Sequence, residues 1–388
     1  MLSPRSINWP IDIVFGGGIA HTSDGGSTAR AASNEPVEAS DSWKHMTARF
    51  EVGFDAFNAE GASKFQQQQI EKQIKFQAMD KLRSYRRAMA IGFYGHSTGI
   101  VFLAEGTASN PSGTNTKVRV NDLYGEAGLA VPSRIRDYIT VNKDYVNVHS
   151  GTTTTVRGGG KVTAIDEAND DLTIATSSDI SGSVADGDAI VLFNQVKSGA
   201  ADDMDLWING MLDITRATTL HGISSSSQPD WVAGVDESSF GSALSGQKLY
   251  EFFTDIEQRS DHPVEWVYTT TGVIAAAGGP ELDQRRYGAD TDTLVLGFKN
   301  LKTMGVDAKS RPFVPSGYAF LGSNSALRKL SPDESDTPSN IVSSAEGGDG
   351  FQQYEDTLGF YKDTVFRSQL TAVSRLGLGV IDGITEAA

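Results

Sequence analysis

Residues 59–104 read AEGASKFQQQQIEKQIKFQAMDKLRSYRRAMAIGFYGHSTGIVFLA. Within them Ala62, Phe65, Ile70, Ile74, Ala78, Leu82, Tyr85 and Met89 recur at steps of three to five residues. That spacing is one apolar stripe on a helix, predicted over 59–93 and roughly 50 Å long at about 1.5 Å per residue. Neither Pro nor Gly interrupts it between Gly61 and Gly92. Its polar face is basic: Lys64, Lys72, Lys75, Lys81, Arg83, Arg86 and Arg87 outnumber Glu60, Glu71 and Asp80. The stripe is not a sustained heptad, which favours a helix laid across a sheet over a coiled coil. Gly92, Gly95 and Gly99 then supply left-handed stops, and Ile100 to Ala104 reads as a strand.

On the N-terminal side, Ile11 to Phe15 is strand-like, and Met46, Ala48, Phe50 and Val52 alternate as a second strand. A polar stretch from His21 to Asp41 lies between them, so 11–55 is expected as a long β-hairpin with a polar tip. Such a hairpin is marginal alone and must rest on something else. On the C-terminal side, short extended pieces fill Val118 to Val148, and 150–195 reads as a small β insertion closed on itself. That insertion is expected to tolerate shortening. From residue 244 the pattern becomes α/β: Leu249, Phe252, Phe253 and Ile256 follow helical spacing, Val264 to Thr269 is a strand, and an Ala-rich helix follows. Leu294 to Phe298 and Tyr318 to Leu321 are further strands, Leu327 and Leu330 are placed on a short helix, and Val365 to Val380 returns as an extended stretch.

The 388 residues suffice for two or three domains. Glycine, at 41 residues, exceeds the usual ~7% and predicts frequent turns. Net charge is −16, which argues against a DNA-coating protein, because such proteins need excess Lys and Arg to release counterions. The absence of cysteine excludes disulfides, thiolate metal sites and cysteine nucleophiles. No apolar run approaches the ~20 residues that cross a bilayer, and Asp12 interrupts any signal-peptide pattern at the start. The composition predicts a soluble, acidic, multi-domain chain.

Motifs for chemistry are weak. His21, His45, His96, His149, His221 and His262 show no metal-ligand spacing and are expected in turns or packing. Ser245-Gly246-Gln247-Lys248 matches the S-x-x-K nucleophile pattern but lacks its companion motifs, and Ser245 suits a helix N-cap. Gly158-Gly159-Gly160-Lys161 imitates a phosphate loop, yet Val162 follows the lysine and no helix comes next, so a hairpin turn is expected. Asp186-Gly187-Asp188 and Asp290-Thr291-Asp292 lack the ligand series of a calcium loop and read as solvated turns. No catalytic residue, cofactor site or metal site is predicted.

The order of parts is more informative. An extended hairpin, one long helix, β segments with an insertion, an α/β unit and a returning strand together resemble the tailed-bacteriophage major capsid proteins with the Hong Kong 97-type fold. Arg86-Arg87 through Gly95-His96-Ser97-Thr98-Gly99-Ile100 is similar to that family's helix, glycine turn and strand. Gly210-Met211-Leu212-Asp213 to Thr219-Leu220-His221-Gly222-Ile223-Ser224, followed by Trp231, is similar to a segment of one branch. The resemblance implies an α+β capsid fold with a short N-terminal arm (1–10), an extended loop (11–55) and a peripheral domain (56–149) holding the spine helix. It further implies the β insertion (150–195), a return to the peripheral domain (196–243), an axial domain (244–364) and a C-terminal strand returning to the periphery (365–388). Implied also are self-association into hexamers and pentamers, with portal, scaffold and decoration proteins as partners. The shell would enclose a double-stranded DNA genome without sequence-specific binding, be assembled in the host cytoplasm and reside in the virion. Ile13, Phe15, Phe50 and Val52 are the expected intersubunit contacts, and Lys64, Lys72, Lys75, Arg83 and Arg86 form a DNA-facing or intersubunit basic face. Two other readings are an encapsulin-like compartment around a protein cargo and an acidic hydrolase with paired carboxylates.

Overall fold

The structure, a computed structural model, describes residues 6–11, 37–53, 64–193 except 133 and 154, 206–284 except 230, 301–330 except 304, 352–353 and 359–387. The first strand, β1 (Ser6–Ile11), pairs antiparallel with β2 (Val37–Ser42), Ser6 opposite Ser42 and Ile11 opposite Val37. The alternating stretch does form a strand, β3 (Lys44–Gly53), but its partner corrects the hairpin expectation. It pairs antiparallel with Gly359–Ala372 near the other end of the chain, from Lys44 opposite Ser368 to Gly53 opposite Gly359. Period-two alternation names the faces of a strand and leaves its partner open. The expected long helix is α1 (Lys64–Tyr94), 31 residues or about 46 Å. It runs through Gly92; the turn comes at Gly99 (φ 71°), where a side chain would collide with the Trp207 indole packed over it.

Seven antiparallel strands follow: β4 (Ile100–Ala104), β5 (Ser109–Ser112), β6 (Asn115–Asn121), β7 (Tyr145–His149), β8 (Val156–Asp166), β9 (Asp171–Thr176) and β10 (Ala189–Phe193). Their order is β4-β10-β7-β8-β9-β6-β5, and β6 also pairs with β4, so six strands close into a barrel with β5 as a flap on β6. Phe102, Val118, Val120, Val146, Val148, Val162, Leu172, Ile174 and Ile190 fill it, each 1% exposed or less. The stretch 150–195 is therefore not a separable insertion. It supplies β8, β9 and β10, half the barrel wall, and closure removes the edges that a lone module would leave. Nor do Gly158 to Gly160 form a turn: they lie in β8, where a Cβ at Gly160 would strike the Ala175 carbonyl of β9.

After the barrel come α2 (Met211–Arg216), a small pair β11 (Thr219–Leu220) with β12 (Ile223–Ser224), and β13 (Val235–Glu237). The α/β part then runs α3 (Gly246–Arg259), β14 (Trp266–Thr269), α4 (Thr271–Gln284), β15 (Leu301–Thr303), β16 (Val306–Ser310) and β17 (Ala319–Gly322). Ser245 caps α3 as expected, its Oγ accepting the Lys248 N–H at 3.3 Å. Leu327–Leu330 is a strand, β18, and not the expected helix; it pairs with β20 (Gly359–Ala372), which also pairs with the short β19 (Gln352–Gln353). The last strand, β21 (Leu378–Ile381), departs from the expected return to the periphery. It lies inside the mixed sheet β13-β21-β17-β14-β16-β15. One face of this sheet (Val267, Ala319, Leu321, Ile381) packs on Leu249, Phe253 and Ile256 of α3 and Val273 and Ala277 of α4. The other (Trp266, Phe320, Val380) joins Ile91 and Tyr94 of α1 in the cluster that also fills the barrel. The end of α1 is thus clamped between barrel and sheet, Tyr94 lying 5.5 Å from the Phe320 ring.

The expectations on Ile13, Phe15, Leu294 to Phe298 and Asp290 to Asp292 lie outside the described residues.

Candidate assembly surface

Two long elements stand beside these cores. The first is the β3–β20 ribbon, ten residue pairs or about 34 Å long. Phe50 and Val52 lie on β3, in register with Lys362 and Phe360 of β20. The second is α1. Its C-terminal turns are fixed by Arg87, whose guanidinium meets Asp144 and the Thr140 hydroxyl beside the barrel, and by Lys143, whose Nζ lies 3.5 Å from Asp80. The basic face predicted from sequence therefore divides: Arg87 turns inward, while Lys72, Arg83 and Arg86 are exposed. Lys64 and Lys75 lie on the same helix.

The joint between the cores is built from charge that spacing alone did not reveal. His96, just past α1, has Nδ1 2.7 Å from Asp213 of α2 and Nε2 2.7 Å from Glu126 beside the barrel. Asp213 also accepts the Ser97 amide. Arg216, one turn along α2, reaches Asp236 of β13 at 3.2 Å and Asp382 just past β21. Burial by itself would lower the His96 pKa; the hydrogen bonds and charges of Asp213 and Glu126 outweigh it and raise the pKa to about 9. Glu126 is held below its ordinary value chiefly by the bond to His96. At neutral pH an imidazolium thus bridges helix, barrel and α2, and Arg216 carries the link on to the mixed sheet. The only sequence signal was an unassigned histidine between two glycines.

A second polar tie fastens β2. The His221 side chain is fully buried, its Nδ1 2.9 Å from Asp41, while its Nε2 accepts the Ala372 N–H at 3.1 Å. The acceptor role of Nε2 puts the ring proton on Nδ1, pointing at the carboxylate. Burial pushes the Asp41 pKa up, but the bonds from His221 and the Ser42 amide outweigh it and leave it low. Aspartate and imidazole in line resemble half of a hydrolytic triad, yet Nε2, the nitrogen that would take a nucleophile's proton, is already occupied. The pair works as a tie between strands.

Arg375 completes the set. It is 2% exposed, and its guanidinium donates to the carbonyls of Ile214, Trp231 and Thr215 at 2.6, 2.8 and 3.0 Å. Desolvation brings its pKa down to about 10. Asp186 and Asp188, offered by sequence as a turn, accept main-chain amides: Gly106 at 2.7 Å, and Gly151 and Ala185 at 2.8 and 2.7 Å. Asp188 is buried beside Arg157, so only part of that turn is solvated. Among the described residues no cluster of His, Asp or Glu is placed to hold a metal ion, and no helix is long and apolar enough to cross a membrane.

No protein-family model matches the chain, and no curated protein matches it. Solved structures do. The chain is similar to a chain of the cyanophage A-1(L) capsid asymmetric unit, at 13% identity and TM-score 0.48, covering 98% of this chain and 89% of that one. It is similar to a chain of the capsid of a native GTA particle, at 9% identity and TM-score 0.42, covering 100% and 86%. The SrpI encapsulin complex from Synechococcus elongatus PCC 7942 is similar over less, 46% of this chain and 59% of that one, at 14% identity and TM-score 0.30.

Proposed function

We propose that this chain is a major capsid protein, a non-enzymatic subunit of the Hong Kong 97-type that assembles into the icosahedral shell around the double-stranded DNA of a tailed phage. The observation that carries the reading is the β3–β20 ribbon, made from opposite ends of the sequence and running beside a 31-residue helix. The barrel closes on its own six strands and the mixed sheet packs on its own helices, and the ribbon reaches these cores at its inner end, through Leu370 and Ala372 of β20 and Met46 of β3. β3 and β20 form a narrow sheet widened only by the short β18 and β19 among the described residues, and copies of the chain laid against one another supply further cover. Phe50 and Val52, with Ile13 and Phe15 before them, are the residues assigned to that contact. The acidic chain, at −16, contains DNA without gripping it or reading its sequence. Portal, scaffold and decoration proteins are its partners, the host cytoplasm its place of assembly and the virion its final location. The similar structures are phage, GTA and encapsulin particles.

Purified protein examined by light scattering and electron microscopy tests it. Hexamers, pentamers or closed particles are expected. A monodisperse 41.5 kDa species under every assembly condition overturns it. Particles that copurify with an enzyme cargo and no nucleic acid overturn the phage assignment while keeping the shell.

A further inference from the structure

The outward face of α1 carries a stripe that no described element of this chain covers. Lys72, Phe76, Met79, Arg83 and Arg86 are all exposed and follow one another at steps of four, three, four and three residues. That is the spacing of a coiled-coil seam, and it places the five side chains in one narrow stripe about 21 Å long. The inner stripe found from sequence lacks this regularity. Phe76 is 71% exposed and Met79 58%, two of the largest apolar side chains left in water among the described residues. Cations flank them, and no described hydrogen bond or ion pair engages Lys72, Arg83 or Arg86.

We propose that this stripe is a docking seam for an amphipathic α-helix of another polypeptide, one with a short apolar centre flanked by carboxylates. The four-three spacing selects a helix, because knobs at that interval fit the holes of a second helix and not the period of a strand. The flanking cations select an acidic partner. They also exclude the same seam on another copy: parallel pairing sets each cation against itself, and antiparallel pairing about Met79 sets Lys72 against Arg86. A DNA duplex satisfies the cations but leaves Phe76 and Met79, at the centre of the stripe, without an apolar partner.

The probe is a fluorescent synthetic helix of 21 residues with Leu at the two central seam positions and Glu at the flanking ones. Its controls are the same helix with Lys at the flanks and a proline-interrupted version. Binding is read by anisotropy on the full chain, on Phe76→Ser/Met79→Ser and on Arg83→Glu/Arg86→Glu, all exposed positions, with helicity checked by circular dichroism. The Glu-flanked helix is expected to bind the parent chain and to lose about tenfold or more on each variant. The Lys-flanked helix is expected to prefer the charge-reversed variant. Failure of the Glu-flanked helix to bind the parent, equal binding of the interrupted peptide, or indifference to both variants overturns the proposal. So does a DNA duplex that displaces the peptide and binds Phe76→Ser/Met79→Ser undiminished, since the face then belongs to nucleic acid. Protection of Phe76 and Met79 from hydroxyl-radical oxidation when the chain assembles alone also overturns it, since another copy then covers the stripe while the shell reading stands.

Discussion

Raising the pH through 9 should loosen the joint at His96. The histidine pKa is lifted from an ordinary 6.5 to about 9, so the folded state holds this proton more tightly than the unfolded chain does. The stabilisation is complete below pH ~6.5 and lost as pH rises through the folded value. A shift of that size corresponds to about 3 kcal/mol at pH 6, about 2 kcal/mol near pH 7.5 and nothing above about pH 10. His96→Gln keeps a polar side chain but removes the titrating cation and leaves Glu126 and Asp213 facing each other without one. The assay is urea unfolding of the unassembled subunit, parent and variant, at intervals from pH 6 to 10. Subtracting the two curves cancels every other titrating group. The parent's advantage should shrink by roughly 1.1 kcal/mol per pH unit between 7 and 9. A difference that stays flat across that window refutes the imidazolium bridge, and one that grows with pH reverses its sign.

Arg375→Lys should destabilise the chain by about 2–4 kcal/mol in the same assay, because an ammonium cannot reach the three carbonyls that the planar guanidinium satisfies; a change within about 0.5 kcal/mol would show that those carbonyls are met otherwise. Gly160→Val should abolish soluble barrel, since any side chain there meets the β9 backbone, and normal expression with an unchanged circular dichroism spectrum would contradict the register. Replacing 150–195 with a Gly-Ser linker should unfold the barrel and not merely trim it, as three of its six walls leave with the segment. Asp41→Ala should speed amide exchange in β1 and β2 while sparing α3 and α4, because the buried tie to His221 is local to the arm; uniform exchange throughout would place Asp41 in the global core.

Local order was legible in the chain. The long helix followed from a stripe uninterrupted by Pro or Gly, the α3 helix from Leu249, Phe252, Phe253 and Ile256 behind a serine cap, and β3 from four alternating apolar residues. These signals lie within one or two turns, where side-chain period alone distinguishes helix from strand. Partnership was not legible. Lys44 meets Ser368 and Val235 meets Gly379 across separations that no periodicity encodes. The same blindness made a barrel wall look like an insertion, because β8, β9 and β10 follow one another in sequence and nothing in their alternation names β6, β7 or β4 as partners. Gly160 shows why: a glycine that frees a turn and a glycine that admits a neighbouring backbone are one letter, and only the approach of Ala175 tells them apart. Likewise His96, Glu126 and Asp213 carry no shared motif. Sequence fixes which side chains can hold charge; their pKa values and their bridge arise only when burial brings three distant segments within 2.7 Å, where desolvation and hydrogen bonding act.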